Sequence, residues 1–498
     1  MTEFMIANMA PIIFASMVLF MLVGFPVAFA LAANGVVFGL IGIKLGLLGP
    51  QLFQALPDRI FGVMANDTLL AIPFFTFMGL ILERSGMAED LLDTIGQLFG
   101  PLRGGLAFAV IFVGALLAAT TGVVAASVIS MGLISLPIMM RYGYDKRLAS
   151  GVIAASGTLA QIIPPSLVLI IMADQLGKSV GDMYAGAFIP GFVLTGLYAT
   201  YVIGIAIFRP SWVPALPAEA RTLHGGKLML RVLTTLVPPL FLIFLVLGTI
   251  FLGIATPTEG GAMGATGALI MALARKRLSW KLLKQAMETT AKLTTFVVFI
   301  LVGARVFSLT FYGVDGHKWV EHLLSDLPGG QLGFLIVVNV LVFLLAFFLD
   351  FFELSFIVVP LLGPVADKLG IDLIWFGVLL AVNMQTSFMH PPFGFALFYL
   401  RSVAPASIKS SDIYWGAIPF VCIQIIMITL VIVFPQLVTF NLDKDQAVDL
   451  DTVKIEMPTS DYGQQENAPG LDGKPGAPAA EEDPNKAFMD SLKKDEAK

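Results

Sequence analysis

A proline pair inside an apolar run breaks the helical hydrogen-bond ladder, because each ring removes an N–H donor and crowds the preceding turn. One such pair repeats in register: Pro164-Pro165 recurs 227 residues later as Pro391-Pro392. At the same offset Pro101, Pro137, Gly143 and Asp145 recur as Pro328, Pro364, Gly370 and Asp372. Matches at this many positions point to an internal duplication, each copy carrying the same backbone break.

The surroundings of these breaks are apolar. The chain has 498 residues, 57% of them hydrophobic and 13% charged, with a mean hydropathy of +0.87. Soluble proteins carry about 25% charged residues, so a soluble enzyme is excluded and a polytopic membrane protein is expected. Residues 5–48 are too long for one span of about 20 residues, and Gly24-Phe25-Pro26 divides them. Further spans fall near 69–82, 150–173, 186–208, 232–252, 256–274, 293–313, 374–399 and 413–437. With re-entrant hairpins at 104–137 and 331–364, about ten spans are expected. Residues 50–66, with Asp58, Arg59 and Asn66, suit a helix on the membrane surface, and the basic stretch 275–292 suits a second arm. Residues 441–498 carry a net charge of −7, leaving +2 for the apolar body, and their lack of apolar periodicity predicts a disordered acidic tail. Residues 1–23 have no basic segment of the kind that opens a cleavable signal peptide. No basic patch interleaved with aromatics suggests nucleic acid. The single cysteine, Cys422, has no partner for an internal disulfide.

Positive charge separates the two copies. Loop 209–231 carries Arg209, Arg221, Lys227 and Arg231 and reads as cytoplasmic. Loop 315–330, with Asp315, Lys318, Glu321 and Asp326, reads as periplasmic, and both termini count to the outside. Corresponding loops on opposite sides are the signature of inverted-topology repeats, a hallmark of secondary transporters. The expected fold is therefore an all-α polytopic membrane protein, an inverted repeat with two re-entrant helical hairpins. Its regions are scaffold helices and an arm at 1–68, a first-repeat transport region at 69–208, scaffold helices and the basic arm at 209–292, a second-repeat transport region at 293–440, and the tail.

Each copy has a hairpin of apolar and small residues followed by its break. The first break reads Ala155-Ser156-Gly157-Thr158-Leu159-Ala160-Gln161-Ile162-Ile163-Pro164-Pro165-Ser166. The second reads Val382-Asn383-Met384-Gln385-Thr386-Ser387-Phe388-Met389-His390-Pro391-Pro392. Carbonyls freed by proline must find partners or line a cavity. Together with Ser and Thr hydroxyls they suit Na⁺, while half-helix N-termini suit an anion. The tips Ala119-Thr120-Thr121-Gly122 and Phe348-Leu349-Asp350 are placed to meet the first and second break. Arg305, in mid-span, is a functional candidate by default; it faces either a carboxylate substrate or an internal ion pair with Glu353 or Asp350. Ser156, Thr158, Asn383 and Gln385 complete the candidate substrate contacts. Glu259 is expected to cap a helix, Asp174 and Asp182 to be solvated, and the Phe-rich run 347–356 to pack against lipid. The spacing of His317 and His322 argues against a metal site.

At these residues the chain resembles the large membrane subunit of tripartite ATP-independent periplasmic (TRAP) transporters. The matching motifs are Ala255-Thr256-Pro257-Thr258-Glu259, Ile162-Ile163-Pro164-Pro165-Ser166, Phe188-Ile189-Pro190-Gly191 and Leu369-Gly370-Ile371-Asp372. The resemblance implies an elevator-type, ion-coupled importer of small organic acids in the bacterial inner membrane. It implies two partners, a small four-helix membrane subunit and a periplasmic substrate-binding protein, and no cofactor beyond the coupling ion. Sodium sites carried over residue by residue fall on Thr121, Gly122, Ala160, Ile163 and Pro164, and on Asp350, Ser387, His390 and Pro391. Relatives often carry Asp where this chain has Ser127, and Thr where it has His390. Histidine titrates near neutral pH, so H⁺ stands beside Na⁺ as coupling ion. Two other functions fit the apolar chain, a stand-alone carboxylate symporter and an intramembrane hydrolase. No hydrolase motif and no GxxxxGK[ST] motif for ATP-driven transport occurs.

Overall fold

Gly24, at φ +90°, and Pro26, the N-cap residue of the following helix, divide the first long apolar run where the sequence places the division. The computed structural model describes residues 2–442 apart from Asp326 and Phe348, and not the side chains of Thr2, Thr120 and Thr121. All but two residues of the acidic segment 441–498 thus lie outside the described residues. Among those described, every regular element is helical.

The chain opens with α1 (Thr2–Ala7), α2 (Met9–Leu22), α3 (Val27–Lys44) and a largely exposed α4 (Leu56–Met64). Then come α5 (Ala71–Arg84) and α6 (Met87–Phe99). Helices α7 (Gly105–Thr121) and α8 (Val124–Arg141) form the first hairpin, turning at Gly122 with φ +58°, a backbone region glycine enters without strain. The broken segment follows as α9 (Lys146–Thr158) and α10 (Leu167–Leu176), then α11 (Val180–Phe208), α12 (Gly225–Phe251), α13 (Pro257–Ala274) and α14 (Trp280–Gly313). The second copy comprises α15 (Gly316–Ser325), hairpin 2 from α16 (Gly330–Leu345) with α17 (Phe351–Ile357) and α18 (Val359–Lys368), and a second broken segment, α19 (Leu373–Gln385) and α20 (Phe395–Val403). Helices α21 (Ser410–Val433) and α22 (Gln436–Thr439) close it.

The duplication is visible in the backbone. Helices α9 and α19 each span 13 residues, offset by 227. Each is followed by a 3-10 turn at that offset, Leu159–Gln161 and Thr386–Phe388. Asp145 caps α9 by accepting from the N–H groups of Arg147 and Leu148, and its counterpart Asp372 accepts from that of Trp375. The Pro164-Pro165 and Pro391-Pro392 bonds are both cis.

Small residues bring backbones together, as expected where lipid offers no hydrophobic drive between helices. A Cβ on Gly303 would lie 2.4 Å from the Ala28 carbonyl oxygen, and one on Gly35 2.7 Å from that of Val306. The Thr310 hydroxyl donates to the Gly35 carbonyl at 2.7 Å. Residue numbers rise together along this contact, so α3 and α14 run in the same direction. Between α9 and α21 the approach is closer: Gly151 and Gly416 each face a backbone carbonyl 2.1 Å from where a Cβ would sit.

Several expectations change. The basic stretch 275–292 is joined to a span: from Trp280 it is the first part of the continuous 34-residue α14. Among the described residues six helices are long and apolar enough to cross a membrane singly, and two bent pairs add to them if each is one span, against the ten or so expected. The breaks account for part of this difference: α10 has 10 residues, about 15 Å of helix, too short to cross alone. In the Phe-rich run Phe351 and Phe356 are buried rather than turned to lipid, while Phe347 and Phe352 are half-buried. Asp174 is not merely solvated; it accepts hydrogen bonds from Asn66 at 2.6 Å and Gln175 at 2.7 Å.

Candidate transport site

The site begins with what proline removes. In an α-helix the carbonyl of residue i takes the N–H of i+4. Pro164 and Pro165 deprive Ala160 and Gln161 of that donor, and Pro391 and Pro392 deprive Ser387 and Phe388. One is repaired locally: the Ser166 hydroxyl donates to the Gln161 carbonyl at 2.6 Å and accepts from the Val168 N–H, capping α10. In the second break the Met389 and His390 N–H groups both turn back to the Thr386 carbonyl.

Both tips reach these breaks. Gly122 packs against Leu167, at the start of α10. Asp350 caps α17 in a reciprocal box: its carboxylate accepts from the Glu353 N–H, and its own N–H donates to the Glu353 carboxylate, both at 2.9 Å. One cavity of about 480 Å³ is lined by Gly122 from tip 1, Gln161 from the first break, Asp350 from tip 2, Phe388 from the second break, and Lys292 on α14. Buried oxygens without a hydrogen-bond partner among the described residues cluster in the two broken segments: Gln161 Oε1, Asn383 Oδ1, Gln385 Oε1 and Ser387 Oγ. Buried polar groups normally find partners, so these are available to a bound species. Both ring nitrogens of buried His390 are also unpartnered; the ring stacks on Phe347 at 4.3 Å and meets the edge of Phe343 at 4.2 Å.

Of the sequence-derived ion set, Gly122 and Asp350 line this cavity, whereas Ala160, Ile163, Pro164, Ser387, His390 and Pro391 lie in the two breaks and are not among its lining residues. The Thr121 side chain lies outside the described residues, as does Phe348. The substrate set is brought together only in part. The Ser156 hydroxyl donates to the Val152 carbonyl, and Asn383 donates to Asn339 on α16. The Gln385 amide donates to the Thr158 hydroxyl at 3.1 Å. This last bond joins two positions 227 apart, so the copies touch through equivalent residues at their shared centre. Arg305 lines a different cavity, and among the described residues no ion pair joins it to Glu353 or Asp350. Glu259 closes a capping box with Thr256, and Thr258 donates to the Asp67 carbonyl, so the Ala-Thr-Pro-Thr-Glu motif ties α13 to the segment before α5. Sequence reasoning missed Lys292 and Tyr399 on the tip cavity. Lys292 was hidden in the basic stretch read as an arm.

The model of the DctM component of tripartite ATP-independent periplasmic transporters matches residues 14–437. A C4-dicarboxylate TRAP transporter large permease from Pseudomonas aeruginosa is 30% identical over 398 residues, covering 78% of this chain and 89% of that protein. A sialic acid TRAP transporter permease from Haemophilus influenzae is 27% identical over 393 residues, covering 78% of this chain and 62% of that protein. The crystal structure of the YdaH transporter of Alcanivorax borkumensis, described as having an unusual topology, shares the fold at TM-score 0.54 and 16% identity, over 77% of this chain and 88% of that one. With duplicated breaks and tips around one cavity, and a family match that runs almost from the first span to the last, the chain belongs to the TRAP transporter large permeases, multi-pass proteins of the inner membrane.

Proposed function

We propose that this chain is the membrane carrier of a secondary importer that moves a small organic acid on an ion gradient, with sodium as the coupling ion. The observation that supports this most is the single cavity on which both tips and both breaks converge. Oxygens left without donors by proline, with Ser387 and Asp350, suit a small hard cation. Lys292 at the same cavity supplies a positive charge for a carboxylate. The charge bias of the loops favours inverted topology, and an elevator movement of the tips and breaks against α3, α13 and α14 is the matching mechanism. The names of the relatives favour an organic-acid substrate and a tripartite assembly with a small membrane subunit and a periplasmic binding protein.

A stand-alone symporter would work without the binding protein. The two readings separate in proteoliposomes holding this chain and the small subunit. Uptake of the organic acid is expected only when the loaded binding protein is supplied. Equal uptake of free substrate in its absence would favour the stand-alone reading.

A further inference from the structure

Two buried amides run in series from hairpin 2 to the second break. Asn339 lies on α16, the first leg of the hairpin, and Asn383 lies on α19, four residues before Ser387. All three side chains are buried. The orientation of both amides is set by groups that can only accept. The Asn339 side-chain N–H donates to the Leu335 carbonyl at 2.8 Å, which leaves the Asn339 side-chain oxygen on the other side of the amide. That oxygen receives an Asn383 side-chain N–H at 2.9 Å, and the backbone carbonyl of Asn339 receives one at 2.8 Å. Because both acceptors are carbonyl oxygens, Asn383 must present its nitrogen to α16 and turn its oxygen away.

The oxygen so turned, Asn383 Oδ1, has no hydrogen-bond partner among the described residues, and neither has Ser387 Oγ, about one helical turn further on. The Asn383 backbone carbonyl is already taken, by the Thr386 hydroxyl at 2.6 Å. The Ser387 backbone carbonyl has lost its helical donor to Pro391. The break thus offers oxygen, with a single hydroxyl as its only donor, which suits a small hard cation better than a carboxylate. Buried polar atoms normally find a partner, and the fixed amide keeps Asn383 Oδ1 from turning to one within the protein.

We infer that Asn383 Oδ1 is a side-chain ligand of the coupling cation at the second break, beside Ser387, and that Asn339 is a positioning residue that holds this oxygen in place from hairpin 2. The inference rests on the reading of the chain as a sodium-coupled carrier. It moves Asn383 from the substrate contacts to the ion site.

The test is sodium-induced thermal stabilisation of the full chain, co-purified with the small membrane subunit, as NaCl replaces choline chloride at constant ionic strength and pH. A cation that binds only the folded state raises the melting temperature, and the wild type should show this rise. Asn383→Leu keeps the branched shape of the side chain and removes its oxygen; Ser387→Ala removes the hydroxyl. Each should raise the sodium concentration for the half-maximal shift about tenfold. Asn339→Leu loosens the amide of Asn383 without removing it, and should raise that midpoint about threefold. Because Asn339 acts through Asn383, the double variant should match Asn383→Leu alone. Thr200→Val, which removes an exposed hydroxyl bonded within α11, should leave the midpoint unchanged. If Asn383→Leu does not fold, the midpoint of Asn339→Leu decides. An unshifted midpoint in Asn383→Leu or Asn339→Leu would overturn the inference. So would losses that add in the double variant, or that appear equally without sodium, since these mark a packing role. A higher KM for the organic acid in uptake at saturating sodium, with the sodium midpoint unchanged, would return Asn383 to the substrate. No sodium stabilisation of the wild type, with uptake driven by a proton gradient, would remove this site and leave the importer standing. Sodium stabilisation that depends on Asn383, without any gradient-driven uptake, would support the site and remove the transport reading.

Discussion

Replacing Gly151 or Gly416 by leucine is expected to prevent isolation of a folded protein or to lower its stability by about 3 kcal/mol or more, the upper range for overpacking. At each position the new Cβ would lie 2.1 Å from a backbone carbonyl oxygen, of Gly416 and Arg147 respectively. Backbone on both sides cannot give way as a flexible side chain would. The displacement would also travel: Gly151 lies two turns before Thr158, whose hydroxyl receives the amide of Gln385. Gly196→Leu and Gly204→Leu, on α11 with open space around them, should stay within about 0.5 kcal/mol of wild type. Thermal unfolding of the four variants in detergent checks this. Equal stability of Gly151→Leu and Gly196→Leu would show that α9 and α21 do not pack as closely as described.

The second large effect is expected at tip 2. Asp350 has two separable duties, capping α17 and lining the tip cavity. Asp350→Ala removes both and should cost about 1 kcal/mol for the cap. Asp350→Ser keeps an oxygen acceptor for the Glu353 N–H but loses the charge. If the carboxylate helps to hold the coupling cation, both variants lose sodium-dependent uptake by more than tenfold, while only the alanine variant loses stability. Paired measurements of melting temperature and initial uptake rate decide it. Full uptake in Asp350→Ser would reduce Asp350 to a helix cap.

How far the sequence could be read follows from these residues. The duplication was legible because proline has a mandatory backbone consequence, so Pro164-Pro165 and Pro391-Pro392 mark the same break without knowledge of the fold. The capping role of Glu259 was legible for a similar reason, because Thr256 and Glu259 stand at a fixed spacing that closes on itself. Arg305 was different. Its depth in an apolar run could be read, but not which face of α14 it occupies, since that depends on helices distant in sequence. Depth alone grouped it with Thr158 and Gln385, whereas packing sends it to Arg59 and brings Lys292 to the tips. The amides of Asn383 and Gln385 likewise read as cavity groups because polarity in an apolar run draws attention. Their N–H groups bond Asn339 within the second copy and Thr158 in the first, while each keeps one unpartnered oxygen open to a bound species.

The central claim is that the two breaks and two tips together hold a site at which sodium and an organic acid move together. Its most direct test is substrate uptake into proteoliposomes containing this chain, the small membrane subunit and the loaded binding protein. An inward sodium gradient would be imposed at equal pH, and separately an inward proton gradient without sodium. Accumulation against the substrate gradient is expected in the first condition and not in the second, with loss of the sodium effect in Thr121→Val. Accumulation driven by the proton gradient alone, unchanged by sodium, would contradict a sodium site at these breaks and move the coupling to His390.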